Sequence, residues 1–193
     1  DAKALATLTP AEGTDFVALR SAAFGGPVSV VSTWGKACAT ASDEAACTSK
    51  LDALPLDMPL GSVGFDAVTE FDVAFTRGDE VTRVTTREAL VKLLGPIDVP
   101  SEAMLVAFAA GHDLPCDLDN VRTSSDGFVL LATRGSTCGG DVEHYTVSVS
   151  AAGVVTEGES EVFEHGNPNC AIGRRPLGLC SRPRRARSDR KST

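Results

Sequence analysis

Nine side chains in this sequence are equipped for covalent or metal chemistry before any fold is considered: six cysteines and three histidines. The cysteines, Cys38, Cys47, Cys116, Cys138, Cys170 and Cys180, make three couples in chain order, 9, 22 and 10 positions apart. Zinc-binding cysteine pairs usually stand two to four residues apart, and no Cys-x-x-Cys occurs here. An even, scattered set points instead to disulfides and an oxidising compartment. Many pairings are open to six cysteines. Sequence separation alone suggests Cys38–Cys47, Cys116–Cys138 and Cys170–Cys180.

The histidines are His112, His144 and His165, and their acidic neighbours are Asp113, Asp141, Glu143 and Glu164. Imidazole and carboxylate together bind transition metals or move protons. One reading is therefore a metal-handling or hydrolytic enzyme built on His112, His144 and nearby carboxylates. Its candidate metal ligands are His112, Asp113, Asp117, Asp119 and His144. The aspartates lack calcium-loop spacing and the closing glutamate. His144 alternates with Tyr145 and shares its face with Thr146 and Ser148, which describes a solvent-facing strand residue. There is no Gly-x-Ser-x-Gly elbow and no phosphate cradle, and an even cysteine count argues against a free catalytic thiol. Carboxylates are abundant, but no pair stands out for glycoside hydrolysis. No cofactor is implied, and a non-enzymatic role is favoured. Arg77-Gly78-Asp79 matches the tripeptide that adhesion ligands present to integrins, yet it falls where a hairpin needs a glycine, so a turn is the simpler reading.

Charge divides the chain. The net −8 combines residues 1–169, with 25 acidic and 10 basic side chains, and residues 170–193, with one acidic and eight basic. The expected organisation is a single acidic domain over 1–169 and a basic tail or linker over 170–193. Arg174, Arg175, Arg182, Arg184, Arg185 and Arg187 of the tail are candidate contacts for an acidic protein partner or an anionic cell-surface polymer. The tail has no interleaved aromatics, which argues against sequence-specific nucleic-acid reading. At 42% hydrophobic residues the body can bury a core, and no apolar run reaches the ~20 residues of a membrane helix. Asp1-Ala-Lys-Ala-Leu5 is not a leader, so the cysteine reading implies one already removed.

These residues need elements to hold them. Phe16, Val17, Leu19 and Phe24 recur near the helical period, predicting a helix over 14–24 that ends at Gly25-Gly26-Pro27. Val28–Thr33 reads as a strand. Asp43 and Glu44 suit the first turn of a helix running to about Leu54. Val68–Thr76 and Glu80–Thr85 form a hairpin. Thr85 and Glu88 have capping-box spacing for a helix that stops at Gly95-Pro96. Over 102–110, Ser101 and Glu102 favour a helix start while the short unbroken apolar run also suits a buried strand, and the strand is the preferred reading. A meander follows, with strands 127–134, 143–150 and 154–163. The expected fold is α+β: a curved antiparallel sheet packed by one or two helices and stapled by disulfides.

Cys170-Ala-Ile-Gly-Arg-Arg-Pro-Leu-Gly-Leu179 resembles a segment of secreted or lipid-anchored bacterial proteins. In them a Cys-x-x-Gly-Arg-Arg-Pro-x-Gly-Leu stretch and a basic linker join an N-terminal domain to a ferritin-like domain. Residues 75–166 are broadly similar to those N-terminal domains. The ferritin-like part has no counterpart in these residues, so no di-iron activity is carried over. The resemblance implies an exported accessory module: periplasmic, on the outer-membrane surface or secreted, and binding or structural in role, as part of a surface assembly or alone.

Overall fold

The computed structural model describes residues 7–23, 26–57, 59–63, 69–114, 120–135 and 140–167. Its elements in chain order are β1 (Phe16–Ala23), β2 (Ser29–Gly35), α1 (Glu44–Asp52), β3 (Gly61–Val63), β4 (Thr69–Arg77), β5 (Glu80–Val84), α2 (Arg87–Leu94), α3 (Pro100–Ala109), β6 (Val121–Ser124), β7 (Gly127–Gly135), β8 (Val142–Ser150) and β9 (Val155–Glu164). The fold is α+β, with two antiparallel sheets where the sequence suggested one. The first runs β2-β1-β4-β3, with β5 also paired to β4; the second runs β6-β7-β8-β9.

One hydrophobic cluster joins both sheets through the helices. Val17, Val73 and Val84 come from the first sheet, and Phe128, Leu130, Ala132, Tyr145, Val147 and Val149 from the second. Leu90, Leu93 and Leu94 of α2 and Ala103, Leu105, Val106 and Ala107 of α3 complete it. Phe108 of α3 meets Phe71 of β4 edge to face, with ring centroids 5.7 Å apart. Apolar burial of this kind is worth about 25 cal/mol per Å², and it is what holds the layers together.

The first sheet is covered on its other face as well. There Ala18, Arg20, Asp72, Ala74 and Thr76 are all buried. Arg20 grips Asp72 with two bonds, Nε–Oδ1 at 2.9 Å and Nη2–Oδ2 at 2.5 Å, and also donates to the Leu54 and Pro55 carbonyls. The guanidinium fork and the carboxylate thus satisfy one another where water is absent. Cys38 and Cys47 are joined by a disulfide with Cα atoms 5.9 Å apart, and the Cys38 N–H donates to Thr76 Oγ1 at 3.1 Å. This cross-link fastens α1 and its loop over that face. Cys116, Cys138, Cys170 and Cys180 lie outside the described residues.

Three local expectations are corrected. Residues 16–23 are strand β1, not a helix. β1 lies between β2 and β4 and is buried on both faces, which erases the alternation that normally marks a strand. Residues 100–109 are helix α3, not a strand. It is apolar nearly all round because core surrounds it. Its buried Glu102 carboxylate accepts from Thr9 N–H and Thr9 Oγ1, each at 2.8 Å, and from Asp98 N–H at 3.2 Å. Finally, the cap of α2 is Thr86, not Thr85: its Oγ1 accepts the Ala89 N–H at 3.1 Å, so Glu88 falls one position short of a capping box.

Candidate functional site

The C-terminal end of α3 positions His112. Gly111 has φ +91°, its N–H bonds the Phe108 carbonyl at 2.9 Å, and His112 N–H bonds the Ala107 carbonyl at 3.2 Å. This pair of bonds is the Schellman motif, which favours glycine because of the left-handed backbone. The chain then turns so that His112 Nδ1 lies 3.0 Å from the Tyr145 hydroxyl. Asp113 follows, and its carbonyl accepts the Thr133 N–H at 3.0 Å, extending the edge of β7 beyond β6.

Tyr145 is only 5% exposed and carries a layer of charge above it. The Arg134 guanidinium lies 4.8 Å from its ring centroid and bonds Glu143 at 2.8 Å and Glu157 at 2.5 Å. The bond from Arg134 holds the Glu143 carboxyl below its usual range, with a second contribution from Ser160. Burial, followed by the Glu157 charge, pushes the Tyr145 phenol above its ordinary value, so it remains a neutral hydroxyl. Crowding also pushes the Asp113 carboxyl up, even though more than a third of that residue's surface reaches solvent. A hydroxyl bonded to an imidazole, beneath a guanidinium neutralised by two carboxylates, is a satisfied polar clip. It joins α3 to the second sheet.

His144 is separate from this clip. It points to the opposite face of β8 from Tyr145 and stacks on Phe163, with centroids 4.0 Å apart and an interplanar angle of 15°. His165 lies elsewhere, 3.3 Å from Asp141. His112 and His144 are therefore not brought together. Among the described residues, no group of three or more His, Cys, Asp or Glu side chains is placed to hold a metal. Asp117 and Asp119, and all six candidate tail arginines, lie outside the described residues. A shallow depression lined by Glu44, Ala45, Thr48, Ser49, Asp52 and Ala53 runs along α1 and has no histidine in its lining.

Arg77-Gly78-Asp79 is a hairpin turn, with Gly78 at φ +55°. Each of its three residues makes a hydrogen bond to the body of the protein, although Arg77 Nε is buried without a partner among the described residues. Asp15 accepts the Gly78 N–H at 2.8 Å, Asp79 accepts the Ser42 N–H at 2.7 Å, and Arg77 donates to Thr14 at 3.1 Å. The Ser42 bonds hold the Asp79 carboxyl below its ordinary range. An adhesion ligand presents that carboxylate outward; here it ties the turn to the α1 loop.

What remains open is the outer surface of the second sheet. Val129, Leu131 and Thr133 of β7 pair there with Ser148, Thr146 and His144 of β8, and no described element covers them. β9 forms the edge, and nine of its ten residues are exposed, including Phe163 at 64%. Bulges at Val142/Glu143 and Tyr145/Val147 interrupt its pairing with β8. No family model, curated protein or solved structure matches this chain. No described helix is long and apolar enough to cross a membrane.

The Phe163–His144 stack was not anticipated from sequence, because a bulge places Phe163 out of simple alternation. The signal that could have marked a charged edge strand, and was not used, is Glu157, Glu159 and Glu161 at every second position.

Proposed function

We propose that this chain is an exported, non-enzymatic binding module that docks a cationic protein segment on the open face and edge of its second sheet. The observation carrying this reading is Phe163: a large aromatic, 64% exposed, held in one orientation by stacking on His144 and followed along the strand by Glu164. Rigid exposed aromatics are common anchors of interfaces, and Glu159 and Glu161 beside it supply the charge that would select a basic partner. The buried Cys38–Cys47 cross-link supports an extracytoplasmic setting: periplasmic, at the outer-membrane surface or secreted. The resemblance of residues 170–179 to the linker of exported proteins supports an accessory role within a surface assembly. The separation of His112 from His144 favours this reading over a metal-handling or hydrolytic enzyme.

A ten-residue peptide alternating arginine and valine serves as the probe. Titrated into the full chain at low salt, it is expected to move amide resonances of β8 and β9. Phe163→Ser should weaken binding about tenfold, the loss of roughly 1.4 kcal/mol that one aromatic contact supplies. Equal affinity for the wild type and the variant, or shifts confined to the first sheet, would overturn the reading.

A further inference from the structure

The open face of the second sheet carries opposite charges at opposite corners. Arg122 of β6 pairs with Val129, Val129 with Ser148, and Ser148 with Thr156. Directly opposed residues share a face, so this row runs across the open side from β6 to β9. Thr133, His144 and Glu161 form a second row on the same side, four residues farther along β7. Arg122 and Glu161 are both exposed, and neither makes an ion pair among the described residues. Leu131 and Thr146 pair with one another between the two rows. Gly158 keeps that middle ground low, because a Cβ at this position would collide with Thr146 Oγ1.

The spacing of the two charges sets the length of a ligand. Four residues along a strand cover ~13 Å, and three strand spacings cover ~14 Å, so the corners stand ~20 Å apart. An extended segment rises about 3.4 Å per residue, so six residues span that diagonal. Its alternate side chains face one way, so residues at positions i and i+6 both meet the sheet.

We infer that the docked partner is an extended segment of fixed polarity. A basic side chain meets Glu161 beside Phe163, small apolar side chains cross Leu131 and Thr146, and a carboxylate six residues away meets Arg122. This inference rests on the docking reading above and assigns the chemistry and direction of its partner. Charge complementarity at the two ends fixes register and direction more than it adds affinity.

The probes are two capped seven-residue peptides, Arg-Ser-Val-Ser-Val-Ser-Asp and Arg-Ser-Val-Ser-Val-Ser-Lys. At low salt the first should bind the full chain about fivefold more tightly than the second, and it should move amide resonances of β6 as well as those of β8 and β9. Arg122→Gln should bring the two affinities together, and Arg122→Glu should reverse their order. Arg122 is exposed, so neither change disturbs the core. Moving the Asp one position toward the Arg turns its carboxylate away from the sheet and should remove the gain. Equal affinity of both peptides for the wild type, or a preference that survives Arg122→Glu, would overturn the assigned polarity. Shifts in β8 and β9 under either outcome leave the docking reading standing. If neither these peptides nor the arginine–valine peptide moves β8 and β9, the docking reading falls as well. Shifts on this face that follow protein concentration alone would make a second copy the occupant and overturn the inference.

Discussion

The two sheets have the same antiparallel construction and opposite exposures. The first is buried on both faces along its central strands β1 and β4: α2 and α3 cover one side, and α1 with the Cys38–Cys47 loop covers the other. It keeps a salt bridge, Arg20–Asp72, with both side chains at 5% exposure or less. The second sheet is buried on one face only and places its charged pairs and its Phe163 in water. Their edges differ in the same sense. β9 carries four glutamates and two irregularities, the usual guards against edge-to-edge pairing. β2 has no charged residue, and Val30 on it is 61% exposed. Stability and presentation are thus assigned to different layers. Substitutions in the first sheet should cost folding free energy, whereas substitutions on the outer side of the second should leave folding intact and change contacts.

The sharpest test of that division is Asp72→Ala. It leaves the Arg20 guanidinium buried without its counterion and should cost about 3–5 kcal/mol, read as a lower urea midpoint. Arg20→Met/Asp72→Leu removes both charges and should recover most of that loss. If Asp72→Ala alone proved neutral, the pair would not be the buried, mutually satisfied contact described. Replacing both Cys38 and Cys47 by Ala ranks next. Closing a loop of this length is worth about 2–3 kcal/mol in the chain-entropy view, and the loss should equal that seen on reducing the wild-type bond. By contrast, Phe163→Ser should move the same midpoint by less than about 0.5 kcal/mol. A large loss from Phe163→Ser would mean that the open face is structural after all.

How legible each layer is in the sequence follows from the same contrast. β7, β8 and β9 could be read with nearly correct bounds because one face meets water, so Tyr145, Val147 and Val149 alternate with His144, Thr146 and Ser148. The hairpin of β4 and β5 was legible from Arg77-Gly78-Asp79. β1 was not, because a strand with Val17 and Leu19 on one side and Ala18, Arg20 and Ala22 on the other shows no polar stripe. α3 failed for a related reason: a helix enclosed by core loses its amphipathic period, and its sole carboxylate, Glu102, is buried rather than outward. Of the candidate site, the outward aim of His144 could be inferred from its neighbours. The His112–Tyr145 clip could not, since it depends on a helix end at Gly111 that a strand reading does not contain.

That clip stands between the two regimes, so its variants should have intermediate effects. Gly111→Ala forces a side chain into left-handed backbone and should cost about 1 kcal/mol, by opening the C-terminal turn of α3. His112 would then lose its fixed approach to Tyr145. The readout is the amide exchange of His112 and Thr133, which should accelerate while exchange in β1 and β4 stays unchanged. Uniform acceleration across both sheets would show instead that the clip is needed for the whole core.

The smallest expected effect concerns Asp113, at the margin where the covered face of the second sheet meets solvent. Burial raises its carboxyl above the ordinary value. An acid raised in the folded state favours folding only while protonated. That contribution is whole below the usual aspartate range and is lost as pH climbs through the raised value. At neutral pH the charged group is therefore a burden on the folded chain, made modest by the solvent that still reaches it. Asp113→Asn lifts the burden and leaves the Asp113–Thr133 backbone bond in place. The variant should unfold at a slightly higher urea concentration than the wild type at pH 7, and the gap should close near pH 3, where the wild-type side chain is neutral as well. A gap of equal size at both pH values would trace the effect to packing. A wild type more stable than the variant at pH 7 would mean that a cation attends this carboxylate, and would return His112 and Asp113 to the list of metal ligands.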